Sequence, residues 1–517
     1  MNIGYCNIYS FRPHVEHLLF IEKMLRALGN NSFFLVCDGV LPYCYPRELK
    51  GAKKICECPK CIIGGIRGFP VAQITSIVNS SVYLDSISLN KMALSSSCTL
   101  HRTEADKEWY DKPVVETRKR LLGAINLVYQ CTLRWIEQNR LDAVICFNGR
   151  MDVTCAITGA CEFLGVPYIT HERTWFGDGL HLIPNANCLS LRAISEMATS
   201  YRALPLKKKQ VYYAGMLVGQ RFLQKNKLEW RLYNQNPKPA PWPLKHDNSR
   251  VLVLPSSKNE FAGHDEWQTG WPSNTQALDD LFETFSWHPR QIVLRCHPNW
   301  SETIGRVTGE RSLQHYLDWA KARGIYAIHS AAKANTYDLI QEADIVVTNG
   351  GSSAVEAGAC GKQVICLGPS EYESSGFVKT FKSSADLEQV SLQLSLPHDI
   401  VRRNTLRYLY LRSKRFPQFV DYVKAVETTK YRYFEGGDPK RLENIILTGQ
   451  IIADDDSYAL DNSYEDQVVD LLIHKEWKKL ADYEERPVVN KELFIKRRHM
   501  FRWVDKVRAL WPRGDQG

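Results

Sequence analysis

The sequence predicts an α/β protein of two Rossmann-like, doubly wound domains facing each other across a cleft, with a helical extension at the C-terminal end. Three observations lead there. Short apolar runs recur between longer amphipathic stretches, a proline-rich break divides the series in two, and 517 residues exceed one ordinary core at roughly 100–200 residues per domain.

The runs are "SFFLVCDG", "LDAVICFNG", "VPYITHE", "RVLVLPSS", "QIVLRCHP", "ADIVVTNGG" and "KQVICLG". Continuous apolar runs of this length, alternating with helical patterns, fit parallel strands covered on both faces. The break is "NQNPKPAPWPLKHDNS", residues 234–249, where proline stiffens the chain and ends regular structure. The expected division is residues 1–235 as the first domain, 236–249 as the linker, 250–430 as the second domain and 431–517 as the extension. Ligands of such sheets sit at the carboxyl ends of the strands. The stretch "IIADDDSYALDNSYEDQ", from residue 451, reads as an exposed acidic connector.

With 44% apolar and 24% charged residues, the composition is that of a globular protein, and no apolar run approaches the roughly 18–20 residues that cross a bilayer. The start, "MNIGYCNIYSFRPHVEHLLF", shows no basic leader before an apolar segment, so a cytoplasmic location is expected. Fifteen cysteines, an odd count spread over a long chain, fit reduced thiols. Cys44, Cys56, Cys58 and Cys61 in "CYPRELKGAKKICECPKC" could supply a four-thiolate structural zinc site or stay unliganded.

The net charge of +9 is modest for this length, and much of the excess sits at the far end. In "NKELFIKRRHMFRWVDKVRALWPR", Leu493, Met500, Val504, Val507 and Trp511 recur at helical spacing among Lys496, Arg497, Arg498, Arg502, Lys506 and Arg508. That pattern fits a helix lying on an anionic surface such as the cytoplasmic face of the inner membrane, or a terminal helix packed on its own domain with a solvated basic side. Elsewhere no basic stripe interleaves with aromatics, so nucleic acid is not an expected partner.

Two stretches carry chemistry. In "VVTNGGSSAVEAGACGKQVICLG", residues 346–368, a buried strand ends at Gly350, Gly351, Ser352 and Ser353 and passes into a helix. Glycine lets the turn tighten and approach a ligand, the free amides at the helix start face any anion, and Glu356 can accept from sugar hydroxyls. A plain strand-to-helix turn with serine capping is the alternative. Gly361-Lys362 lacks the upstream glycine and the following Ser/Thr of a P-loop, and no G-x-G-x-x-G opens a helix after the first strand. The second stretch, "QIVLRCHPNW", brings Arg295, His297, Pro298 and Asn299 to another strand end in the same half. Arg295 serves there either the nucleotide or a buried ion pair holding the strand end.

These two elements resemble GT-B glycosyltransferases of the bacterial capsule and lipopolysaccharide type, including enzymes that transfer Kdo from CMP-Kdo. "RCHPN" is similar to their His-Pro nucleotide motif, and "NGGSSAVEAGACGKQVICLG" to their donor-phosphate loop and helix; the likeness covers residues 250–370. "FNGR", 147–150, and "THERTWFGDG", 170–179, look like acceptor-side elements, which points to Asn148, Arg150, His171 and Arg173. The resemblance implies a nucleotide-sugar donor, a surface glycan or lipid-linked precursor as acceptor, and a carboxylate near the anomeric carbon acting as base or nucleophile. Glu260 in "VLVLPSSKNEFAGHDEW" is the first candidate, with Asp265 behind it; Glu172 beside Arg173 is the alternative. Phosphate held by helix amides and His297 requires no divalent metal, no D-x-D triplet stands beside a strand end, and no cofactor is expected. A sugar-nucleotide epimerase or polyol-phosphate transferase on the same frame, or a catalytically silent nucleotide-binding scaffold, are the competing readings.

Overall fold

A computed structural model of the chain describes residues 1–78, 86–229, 236–245, 249–388, 395–484 and 490–503. All seven apolar runs are strands. The first sheet holds β1 (Asn2–Asn7), β2 (Asn31–Val36), β3 (Ile74–Ser76), β4 (Ala143–Phe147), β5 (Tyr168–Arg173) and β6 (Leu180–Pro184), in the order β3-β2-β1-β4-β5-β6. Only β6 runs antiparallel to its neighbour. The second sheet holds β7 (Val251–Leu254), β8 (Ile292–Arg295), β9 (Tyr326–Ile328), β10 (Ile345–Thr348), β11 (Gln363–Leu367) and β12 (Val378–Phe381), all parallel, in the order β12-β11-β10-β7-β8-β9. Counted within its own half, each sheet has the 3-2-1-4-5-6 order of the doubly wound fold.

Strand alternation sends successive side chains to opposite faces. Val251 and Val253 join the helices Asn274–Thr284 and Glu310–Arg323 on one face of the second sheet, while Leu252 and Leu254 join Val355, Leu406 and Leu409 on the other. β1 escapes a search for apolar runs because Gly4 and Asn7 interrupt it. Gly4 is needed: a Cβ there would lie 2.5 Å from the indole of Trp135, on the helix Lys112–Asn139 that packs against this strand.

The cores do not follow chain order. The helix Lys208–Phe222 places Val211, Ala214, Leu217 and Val218 in the core of the second lobe, beside Leu252 and Val468. In return Phe419, Tyr433, Leu442 and Ile445 cover the first sheet with Leu18 and Phe20. The chain thus crosses between lobes before β7 and repeatedly after β12, where Phe419 and Leu442 pack on the first lobe, Val468 and Leu480 on the second, and Leu493 and Ile495 on the first again.

Two expectations are corrected in the C-terminal region. The acidic stretch after 451 is not simply solvated. Asp454 accepts from the amides of Phe419 and Val420, Asp455 accepts from Gln210 and Tyr410, and fully buried Glu465 is held by Arg407. Nor does the basic segment form a helix from Leu493. It is non-helical through Arg498, pairing Glu492 with Phe434 and setting Leu493 and Ile495 against the first lobe, and helix begins only at 499. Val504 and the apolar and basic residues beyond it lie outside the described residues. Among the described residues no helix is long and apolar enough to cross a membrane.

Candidate functional site

The carboxyl ends of the two sheets meet. Beyond β7 the chain enters a loop with single helical turns at Asn259–Phe261 and Asp265–Trp267, and this loop docks on the first lobe. Glu266 accepts from the Ser190 hydroxyl at 2.9 Å and the Leu191 amide at 2.6 Å, and the Trp267 indole donates to Leu189 O at 2.8 Å. Behind the loop, Asn349 joins the ends of the two central strands. Its Oδ1 accepts from the Ser256 amide at 2.7 Å and its Nδ2 donates to Ser256 O at 2.9 Å. The next residue, Gly350, has φ +101°, a conformation that favours glycine. The turn it makes leaves the amides of Gly351, Ser352 and Ser353, and the hydroxyls of both serines, with no hydrogen-bond acceptor among the described residues.

Glu260 and Arg150, named from opposite halves of the sequence, stand together in this cleft. The Glu260 carboxylate is 48% exposed and lies 3.7 Å from the Arg150 guanidinium, which also donates to the hydroxyls of Ser95 at 2.8 Å and Thr99 at 3.2 Å. Ser95 in turn donates to Glu260 O at 2.8 Å. A fixed cation thus orients a reachable carboxylate between the lobes. Asp265 is elsewhere: it is 74% exposed and faces Lys91 at 3.4 Å, a solvated pair.

Of the His-Pro group, His297 caps the turn Pro298–Ser301, its Nδ1 accepting from the Asn299 amide at 3.2 Å. Burial lowers its pKa to about 4, so the imidazole is neutral at pH 7 and can offer hydrogen bonding but no charge. Asn299 Oδ1 is buried without a partner. Arg295 braces the loop: its Nη1 and Nη2 donate to the carbonyls of Cys296, His329 and Ala332, while its Nε is buried with no partner and the side chain is almost wholly buried. Glu356 is also committed, one oxygen accepting from buried Arg221 at 2.8 Å while the other is buried with no partner. Burial raises the Glu356 pKa against the pull of Arg221.

The acceptor-side candidates form a second cluster at the end of β5. Glu172 accepts from Asn148 Nδ2 and the Arg173 amide, each at 2.9 Å, and lies 3.1 Å from His14 Nε2; burial raises its pKa. Asn148 holds this geometry in a left-handed turn, φ +64°. His171 is buried with both ring nitrogens unpartnered, its pKa lowered by burial to about 3, and so is withdrawn from the cleft. Arg173 donates to Tyr431 Oη at 3.4 Å and Leu228 O at 3.5 Å.

Among the described residues no group of three or more His, Cys, Asp or Glu side chains is arranged to hold a metal. Cys56, Cys58 and Cys61 share the helix Lys54–Gly64, whose pitch turns Cys56 to solvent while Cys58 and Cys61 face a small cavity with Cys37 and Cys44. The four thiols named from the sequence are therefore not gathered.

Sequence reasoning missed the bridge that the first lobe builds onto the second. Arg102 donates to the carbonyls of Asn299 and Glu302, at 3.0 and 2.8 Å. Buried Glu104 accepts from Asn274 at 3.0 Å, Ser312 at 2.8 Å and Tyr316 at 3.2 Å, all across the lobe boundary. Burial raises its pKa to about 7 despite these donors. No periodicity or motif marks "HRTEAD", so nothing local could have signalled it.

No family model matches the chain, and no curated protein does. Among solved structures it is similar to KpsC of Thermosulfurimonas dismutans. The structure titled as a beta Kdo 2,4 transferase has 16% identity and a TM-score of 0.31, covering 64% of this chain and 87% of that one. The structure titled as a beta Kdo 2,7 transferase has 14% identity and a TM-score of 0.33, covering 67% and 89%. It is also similar to a UDP-GlcNAc 2-epimerase of Neisseria meningitidis, with 12% identity, a TM-score of 0.27 and coverage of 79% and 96%.

Proposed function

We propose that this chain is a metal-independent glycosyltransferase that moves a sugar from a nucleotide donor to a cell-surface polysaccharide or its lipid-linked precursor, the sugar being an acidic one such as Kdo carried by CMP. The observation that carries the reading is that the loop carrying Glu260 borders the Gly350–Ser353 turn, through Ser256 and Trp267, while Arg150 of the first lobe reaches Glu260 across the cleft. The turn and His297 supply donors for a phosphate without a cation. Glu260, oriented by Arg150, supplies the carboxylate that glycosyl transfer needs. As the bond from the anomeric carbon to the phosphate oxygen breaks, Glu260 either takes the proton from the attacking acceptor hydroxyl or adds to that carbon itself. The Glu172 cluster lies on the acceptor side.

A nucleotide that binds the folded protein raises its melting temperature by mass action. Comparing CMP, UDP, GDP and CDP is expected to single out CMP; a shift by none of them overturns the donor reading. Incubating the sugar nucleotide without acceptor separates transfer from epimerisation, since only an epimerase changes the sugar alone. We assign the exposed Phe494, Met500 and Trp503, at 60, 62 and 63% and interleaved with Lys496, Arg498 and Arg502, to an anionic membrane surface. Co-flotation with vesicles containing phosphatidylglycerol, and none with phosphatidylcholine alone, is the expected result.

A further inference from the structure

Lys258 stands in the loop after β7, two residues beyond Ser256 and two before Glu260. Its ammonium reaches the end of β11: a Cβ built on Gly368 would lie 3.7 Å from Nζ. The turn after β10 borders the same loops: a Cβ built on Gly350 would lie 3.6 Å from Pro369 O, and one built on Gly351 3.5 Å from Ser256 Oγ. The lysine therefore lies at the foot of the Gly350–Ser353 turn, inside the mouth formed by the loops after β7, β10 and β11. Its ammonium makes no hydrogen bond or ion pair among the described residues. Glu104 and Asp106 of the first lobe attract it at a distance, but Glu104 already has three donors of its own. Burial lowers the lysine's pKa in spite of both carboxyls. A partly buried ammonium that makes no ion pair, beside a turn with unused amides, is suited to an anion.

We propose that Lys258 is a binding residue of this cleft, its ammonium taking the phosphate of a nucleotide whose other phosphate oxygens meet the amides of Gly351, Ser352 and Ser353. The inference rests on the nucleotide-sugar reading of the cleft and adds to it the group that supplies the positive charge. His297 is neutral at pH 7, and Arg295 is almost wholly buried with its Nη groups turned to the carbonyls of its own loop.

The test is calorimetric titration of the full chain with CMP and UDP, and with cytidine and uridine as phosphate-free controls. Lys258→Met is expected to weaken the nucleotides about 10- to 100-fold while moving the nucleosides less than about two-fold, with Lys258→Arg recovering most of the loss. Lys258→Gln gives the same comparison if the Met variant does not fold. Unchanged nucleotide affinity in the neutral variant, or equal losses for nucleotides and nucleosides, overturns the role of Lys258 alone. If the parent chain binds neither nucleotide, the donor reading falls and this inference falls with it.

Discussion

Glu260 is distinguished from its acidic neighbours by company rather than by type. Asp265 pairs with a solvated lysine and Glu266 is spent bridging the lobes, whereas Glu260 is reachable and oriented by Arg150. Glu260→Gln keeps the shape and removes the charge, so turnover is expected to fall about 10²- to 10⁴-fold with nucleotide affinity within about two-fold. Normal turnover in an acceptor assay would remove Glu260 from the chemistry. Glu104 makes a second residue-scale expectation. Its pKa is about 7 in the folded chain against about 4.3 unfolded, so the folded state holds the proton more tightly. Its contribution to stability is therefore full below about pH 4.3 and is lost as the pH rises through 7. Relative to Glu104→Gln, the parent is expected to lose about 3 kcal/mol across that window, read as a widening gap in denaturant midpoint between pH 4.5 and 8. A gap independent of pH would show that this carboxyl does not titrate there.

Elements were legible where a local pattern was enough. The buried runs of β2, β4, β5, β7, β8, β10 and β11 follow from continuous apolar sequence, but β1 is interrupted by Gly4 and Asn7, β9 has only three residues, and β12 is broken by Lys379 and Thr380. The C-terminal segment shows the reverse error. Its periodicity through Leu493 was helical on paper, yet pairing with Phe434 and burial of Leu493 and Ile495 against the first lobe hold it extended. Close helix contacts also depend on small residues. On the helix Lys208–Phe222, a Cβ at Gly219 would meet the backbone of the helix Trp477–Ala481, 2.6 Å from Trp477 O and 2.7 Å from Ala481 N. Neither atom can yield without moving that helix. Gly219→Ala is expected to cost about 1–3 kcal/mol in urea unfolding and to speed amide exchange around residues 477–481. Stability equal to the parent's would mean the short helix slides without loss.

At the scale of the molecule, the repeated crossings make the lobes inseparable by a single cut. A fragment of residues 1–235 exposes Val211, Leu217 and Val218 on a helix whose core lies in the other lobe, and it loses Phe419, Tyr433, Leu442 and Ile445 from its own. It is expected to aggregate alone and to regain solubility when residues 236–517 are co-expressed; a soluble, monomeric 1–235 would contradict this packing. The amino-acid order by itself determined two parallel α/β sheets, because strand burial and strand-to-helix turns are written in consecutive residues. It also placed Glu260, His297 and the Gly350–Ser353 turn at strand ends, because the end of an apolar run is visible locally. Only the tertiary structure decided which of those side chains stay available. Arg295 and His171 are buried, the Lys258 ammonium makes no ion pair among the described residues, and Arg102 and Glu104 tie the lobes together, since burial and pairing arise between residues far apart in the chain.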